Sequence, residues 1–240
     1  MQFATLGGGN HFVEMQSDED GQLWLMIHTG SRVIGQEVRG LHVTRSVRRS
    51  INLPVLDVNE IAGQMYLADQ NWARAYAAAN RIAIGQQVME AMKDLFDIDP
   101  ATEPAIHCDH NHVQIETHFD QQLLVHRKGA APAGLDQPAV IPGSMGTFSV
   151  HVMGRGCPES LASCSHGAGR QRSRAEARER YSVKDLQNQM GNVWYDPRLK
   201  KELVEECPKS YKDLRGVLAA ETELIRITRV LKPMLVYKGA

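Results

Sequence analysis

From Glu60 to about Phe96 apolar side chains recur at helical spacing: Ile61, Met65, Leu67, Ala68, Trp72, Tyr76, Ala79, Ile82, Ala83, Val88, Met92 and Leu95. A run of that length exceeds the usual globular helix, so the spacing predicts one long helix, or two with a bend near Gly85. Its aromatics and alanines read as core rather than cofactor contacts. A second helical stretch, from Ser31 to about Arg49, sets Val33, Ile34, Val38 and Leu41 against arginines on the other side. A break at Asn52-Leu53-Pro54 follows it.

The rest of the chain is strand-like. Alternation from Phe12 to Gln16 sends His11, Val13 and Met15 to one face and Phe12, Glu14 and Gln16 to the other. Leu23 to Ile27 is a nearly continuous apolar run, hence a central strand, and it delivers His28 at its C-terminal end. Val113 to His118 and Gln121 to His126 read as a hairpin around Phe119-Asp120. Val150 to Met153 and Thr222 to Val230 are further strands. Short amphipathic helices fall around Ser182 to Met190, Pro197 to Glu206 and Leu214 to Leu218.

Composition bounds the function classes. With 240 residues, 42% hydrophobic, the chain can bury a real core and reads as one globular domain over 1–240. A net charge of −1 carries no global signature of nucleic-acid binding, so any such surface is local; arginines 170, 172, 174, 178 and 180 are the one basic concentration. Four cysteines without a CxxC pair or secretory leader read as free thiols in a reducing cytoplasm. No apolar run is long enough to span a membrane.

Chemistry-bearing residues gather at glycines. Ser165-His166-Gly167-Ala168-Gly169-Arg170 sets a histidine at the mouth of a loop whose amides can form a nest for anionic oxygens. It reads either as a tight turn with a surface histidine or as a nucleophile or metal ligand. Gly7-Gly8-Gly9-Asn10-His11 and His28-Thr29-Gly30 put two more strand-associated histidines beside glycine. Between 107 and 112 lie three histidines, Cys108 and Asp109, in which two or three residues must be bystanders around any metal. Arg127-Lys128 reads equally as a solvated turn or a phosphate contact. Pro142-Gly143-Ser144-Met145-Gly146 can offer amides and hydroxyls to phosphate but lacks Walker A spacing. Lys238, beside the last residues, reads on its own as solvated.

Several of these motifs together resemble the RtcB family of RNA ligases: Gly-Gly-Asn-His-Phe-Val-Glu at 8–14, His-Thr-Gly-Ser-Arg at 28–32, His110-Asn111, His-Arg-Lys-Gly-Ala at 126–130, Pro-Gly-Ser-Met-Gly at 142–146, Ser-His-Gly-Ala-Gly-Arg at 165–170 and the terminal Lys-Gly. They occur in the family's order over essentially the whole chain. The resemblance implies an α+β fold with mixed and antiparallel sheets and flanking helices. It implies a manganese- and GTP-dependent ligase that joins RNA 3′-phosphate or 2′,3′-cyclic phosphate ends to 5′-hydroxyl ends. His166 takes the nucleophile position, forming a histidine–GMP intermediate. His11, His28 and His110 fall on metal-ligand positions. Asn10, His11, Phe12, Val13, Glu14, His110, Asn111, Pro142, Gly143, Ser144, Met145, Ser149, His166, Gly167, Ala168, Gly169, Tyr211 and Lys238 fall on the guanylate pocket. By this match Glu14 faces the guanine edge, and Lys238 reaches the nucleotide only if the last strand folds back under the site.

One departure stands out. The family's Asp-Val-Gly-Cys-Gly motif, whose aspartate and cysteine complete the metal site, occurs nowhere in this sequence. The expectation is therefore a chain resembling the C-terminal catalytic part of such a ligase, with the fold's N-terminal strands absent and an edge covered by a separate N-terminal chain or a second copy. A rival reading is a nucleotide- or metal-binding half that does not turn over alone. A histidine metal hydrolase would explain the histidines but neither the Pro-Gly-Ser-Met-Gly loop nor the terminal lysine.

Overall fold

The computed structural model describes residues 2–48, 53–99, 101 and 105–239. In chain order its elements are β1 (Phe12–Ser17), β2 (Leu23–His28), α1 (Val33–Arg45), β3 (Val47–Arg48), β4 (Pro54–Val55), α2 (Ile61–Phe96), β5 (Asn111–His118), β6 (Gln121–Lys128), β7 (Ala130–Pro132), β8 (Pro138–Ile141), β9 (Ser149–Gly154), β10 (Ser163–Ser165), α3 (Arg174–Arg180), α4 (Val183–Met190), β11 (Trp194–Tyr195), α5 (Leu214–Ala219) and β12 (Ile225–Tyr237). They divide into two compact units. The first is Met1–His11 with Ile27–Thr102; the second is Phe12–Met26 with Glu103–Ala240.

In the first unit α2 is a single helix of 36 residues, as its spacing predicts. Gly85 lies inside it without interrupting the helix. The helix stops where Asp97 turns left-handed (φ 55°) and gives its N–H to the Lys93 carbonyl. The expected core stripe is only partly right: Gly63, Gln70, Ala73, Ala77, Asn80 and Ile84 are buried, whereas Ile61, Met65, Trp72, Ile82 and Leu95 are exposed. Small residues occupy the packed side because other backbone comes close; a Cβ on Gly63 would sit 2.1 Å from the Asp57 carbonyl oxygen. His42 of α1 clips the two helices, its Nε2 2.7 Å from Asp69 Oδ2 and its ring edge-on to Tyr66. Asn80 exchanges hydrogen bonds with the backbone of Thr5, tying the N-terminal segment to α2. α1 is shorter than its spacing suggested, since Ser46 is already extended. Arg49 and Asn52, named in the sequence reading, lie outside the described residues.

The second unit is built on β12, 13 residues long. Its first half pairs antiparallel with β9 (Ile225↔Gly154 to Leu231↔Ser149) and its second half with β1 (Ser17↔Lys232 to Val13↔Tyr237). β8 extends the sheet beyond β9, β11 adds a parallel pairing to β12, and β2 lies beyond β1 at the end of the strand order, not in the centre as its apolar run suggested. The strand therefore continues well past the Val230 limit read from the sequence. Pro233, which cannot donate to a ladder, sits where the β1 register slips between Met15 and Gln16, so the irregularity absorbs it. One core lies between the sheet and α5, with Ile141, Val150, Val152, Leu214 and Ile225; another gathers Met145, Leu186, Met190, Cys207 and Val236.

β5 and β6 form the expected hairpin, extended to Asn111↔Lys128. Its turn is Phe119-Asp120, both at positive φ (53° and 59°), the geometry of a type I′ turn. The α+β class with largely antiparallel pairing and flanking helices is thus the observed one. Among the described residues no helix is long and apolar enough to cross a membrane.

Candidate active site

Two short ladders converge on Gly129. In the β10–β7 pair Ser165 lies opposite Ala130, so the next step of that ladder sets His166 against Gly129. In the β5–β6 pair Asn111 lies opposite Lys128, so the next step sets His110 against the same glycine. Gly129 accordingly gives its N–H to the His110 carbonyl (3.0 Å), and its own carbonyl accepts from His166 Nδ1 (2.8 Å). The two imidazoles lie with ring centroids 4.5 Å apart. Gly129 adopts φ +74°, which a side chain would strain, and a Cβ there would meet the His166 ring at 3.5 Å.

The loop after His166 is anchored on both sides. Ser165 gives its N–H (3.0 Å) and its hydroxyl to Glu221 Oε1, and Ala168 gives its N–H to the Pro142 carbonyl (3.0 Å). In the 142–149 loop the Gly143 amide donates to Ser149 Oγ (3.3 Å) and the Ser144 amide to Thr147 Oγ1 (2.7 Å). Those four amides are spent inside the protein. Among the described residues the amides of Gly167 and Gly169 have no such partner, which leaves them for an anion. Met145 sends its side chain into the core, so only its backbone can serve a ligand.

A second set of residues forms a buried polar cluster. Glu14 and Gln16, adjacent on one face of β1 as alternation required, are bonded by Gln16 Nε2 to Glu14 Oε1 at 2.6 Å. Burial pushes the Glu14 carboxyl up to about 8, against the opposing pull of Gln16 and the Lys238 charge. Lys238 is buried, contrary to the solvated reading, because β12 carries it back into the unit; its Nζ lies 3.1 Å from Glu206 Oε2. Tyr211 donates its hydroxyl to Glu206 Oε2 (2.5 Å) and accepts from Arg170 Nη1 (3.0 Å), with the guanidinium 4.8 Å from its ring centroid. Burial, then the Glu206 charge, pushes the Tyr211 phenol up. Glu206 and Gln16 are absent from the sequence reading of the site, and Arg170 entered it only as the end of the 165–170 motif and part of a basic run. The available signal was charge complementarity: Arg170, Arg174 and Arg178, four apart, meet Glu205 and Glu206.

Other candidates fall elsewhere. Arg127 is neither solvated nor free for phosphate: it is buried, held by both Glu116 oxygens (2.5 and 2.9 Å), Ser163 Oγ and the Leu161 carbonyl. His112 turns into the protein while His107 stays exposed, so the dense 107–112 run splits instead of forming one strand face. In the first unit His11 and His28 have ring centroids 6.4 Å apart, and Arg32 Nη1 approaches His11 Nδ1 at 3.4 Å. Gly7 admits that arginine; a Cβ there would overlap Nη1 at 1.3 Å. Asn10 and Asn111 are exposed. Among the described residues no group of three or more His, Cys, Asp or Glu is arranged as a metal cage. Imidazole donors therefore come as pairs, His11 with His28 and His110 with His166, a donor type that suits first-row divalent metals such as zinc or iron.

These features define an α+β protein with a histidine on a glycine loop, a second histidine against it, and a buried cluster of cations and carboxylates. A family model described as tRNA-splicing ligase RtcB matches residues 1–239. The chain is similar to RNA-splicing ligase RtcB of Escherichia coli strain K12, 37% identical over 98% of this chain and 60% of that protein. It is also similar to tRNA-splicing ligase RtcB of Methanococcus maripaludis, 30% identical over 99% and 60%. RNA-splicing ligase RtcB homolog 1 of Entamoeba dispar is 31% identical over 99% and 53%. The chain belongs to the RtcB family, and it spans about 60% of the length of its bacterial and archaeal relatives named above.

Proposed function

We propose that this chain is a GTP- and manganese-dependent RNA ligase, joining 3′-phosphate or 2′,3′-cyclic phosphate ends to 5′-hydroxyl ends through GMP carried on His166. The observation that carries the reading is the bond from His166 Nδ1 to the Gly129 carbonyl. A carbonyl can only accept, so the proton stays on Nδ1 and the Nε2 lone pair is left for attack. Nε2 bonds to the α-phosphorus of GTP as the bond to the bridging oxygen breaks, and pyrophosphate leaves with that electron pair. Positive charge gained by the imidazole stays against the Gly129 carbonyl. GMP then passes to the RNA 3′-phosphate, freeing His166, and the 5′-hydroxyl displaces it.

The open amides of Gly167 and Gly169 are placed to receive phosphate oxygens. Glu14 accepts the guanine donors, and Lys238 and Tyr211 line the pocket beside it. Manganese would be held by His11 with His28 in the first unit and by His110 in the second; when bound it neutralises the triphosphate and polarises the phosphorus.

Incubation with α-labelled GTP and manganese tests the reading. The wild type should acquire an acid-labile, base-stable label, His166→Ala should not, and exposed His126→Ala should. Label persisting in His166→Ala refutes the nucleophile. A folded wild type that binds GTP without labelling supports instead the nucleotide-binding half, and adding the family's N-terminal region in trans should then restore labelling.

A further inference from the structure

Glu206 lies in the 3₁₀ turn Glu202–Glu206 with its carboxylate buried, and it collects donors from separate parts of the second unit. Oε2 takes Lys238 Nζ at 3.1 Å and the Tyr211 hydroxyl at 2.5 Å. Oε1 takes Arg170 Nη1 at 3.3 Å and Arg174 Nε at 3.4 Å. Arg170 closes the arrangement through Tyr211 and, by Nη2, the Glu205 carbonyl at 2.5 Å. Among the described residues Glu206 is the one carboxylate within bonding distance of the Lys238 ammonium, with the Glu14 carboxyl further off, so two of its three N–H donors are uncommitted inside the protein.

We propose that Glu206 is a positioning residue of the nucleotide pocket: it holds the Lys238 ammonium and the Tyr211 hydroxyl as a charged, pre-oriented pair for a guanine nucleotide, without touching the nucleotide itself. This rests on the pocket reading given above for Lys238 and Tyr211. The charged and titratable groups facing Lys238 are Glu206, Arg170, Arg174 and, from β1, Glu14, with Tyr211 sharing the Glu206 oxygen. Burial lowers the lysine's proton affinity, the two guanidiniums add to that, and Glu206 opposes them. Remove the Glu206 charge and Lys238 faces two cations with a carboxyl that ionises only toward pH 8. The lysine then loses its proton as pH rises. Burial pushes Glu206 up, but the Lys238 charge and the Tyr211 hydroxyl outweigh it, so the carboxylate remains ionised throughout that range.

The test measures GTP binding with manganese by equilibrium dialysis from pH 6.5 to 9.5, for wild type, Glu206→Gln, Glu206→Asp, Lys238→Met and the Glu206→Gln/Lys238→Met pair. Melting curves check folding. Glu206→Gln should weaken binding about tenfold at pH 7, the scale of a charged hydrogen bond. Its deficit relative to wild type should widen with pH by up to about tenfold per unit. Repeating both proteins in a Glu14→Gln background removes the Glu14 titration, which the Lys238 charge itself influences. Glu206→Asp keeps the charge, so its deficit should be smaller and flat in pH. In the Lys238→Met background Glu206→Gln should cost less than about twofold. Additive costs, or a pH-independent deficit in Glu206→Gln, overturn the proposal while the pocket reading stands. A folded wild type that binds no GTP overturns both. Should Glu206→Gln not fold, Glu206→Asp with and without Lys238→Met decides the matter by the same additivity.

Discussion

Arg127 and Lys238 are both buried cations paired with a glutamate in the same unit, but their surroundings are completed differently. Arg127 makes hydrogen bonds to both Glu116 oxygens, to Ser163 and to a backbone carbonyl, so the protein itself satisfies it. Lys238 has Glu206 and spare donors. In the same unit three other buried atoms, Gln16 Oε1, Ser210 Oγ and Glu221 Oε2, have no hydrogen-bond partner among the described residues. Buried polar groups are normally matched, so a saturated ion pair reads as scaffold and an unsaturated one as a place kept for a ligand. Both were ambiguous as sequence: Arg127 sat in a basic turn and Lys238 beside the end of the chain. The structure separates them by what each side chain leaves unused.

Substitutions can break that contrast. Arg127→Ala takes from the Glu116 carboxylate the guanidinium that holds it below its ordinary range, leaving it with His118, and should cost about 1.5 to 3 kcal/mol in chemical denaturation. GMP labelling per folded molecule should stay near wild type. Lys238→Ala should do the opposite, cutting labelling about tenfold or more while shifting the denaturation midpoint little. Equal stability losses in the two variants would erase the distinction.

Two smaller effects sharpen it. Burial keeps Glu14 protonated below about pH 8, and guanine donors favour the carboxylate, so binding must release a proton. GTP affinity should therefore rise between pH 6 and 8, by at most about tenfold per unit, and level off above. Glu14→Gln should flatten that slope; an unchanged slope would take Glu14 out of the pocket. The smallest effect concerns hydroxyls. Ser163→Ala, which removes an acceptor from Arg127 and a donor to the Leu161 carbonyl, should cost about 1 kcal/mol. Ser210→Ala removes an unmatched hydroxyl and should be neutral or slightly stabilising in the same melts.

What the sequence made legible was local. Helical spacing from 60 to 96 gave α2, and alternation around Phe119-Asp120 gave the β5–β6 hairpin. Alternation likewise put Glu14 and Gln16 on one face of β1. What it hid depends on long-range pairing. Pro233 and nearness to the chain end disguised the second half of β12, and with it the burial of Lys238, which only the bulged pairing with β1 explains. The 107–112 run read as a ligand cluster with two or three bystanders, and residue type could not say which, because it carries no geometry; in the structure His110 is the member whose ring lies against His166. Glu206 was missed because its partners lie 32 to 36 residues away, except Tyr211. Gly129 has no side chain to mark it, although two ladders use it to bring two histidines together.

The most direct measurement locates the covalent GMP on the histidine ring. Labelled protein would be digested, the modified peptide identified by mass spectrometry, and the phosphoramidate nitrogen assigned by phosphorus–nitrogen NMR on protein labelled with ¹⁵N-histidine. Because Nδ1 is committed to the Gly129 carbonyl, the account predicts a single adduct at Nε2 of His166. GMP on Nδ1, on another side chain, or divided between the two ring nitrogens would contradict it.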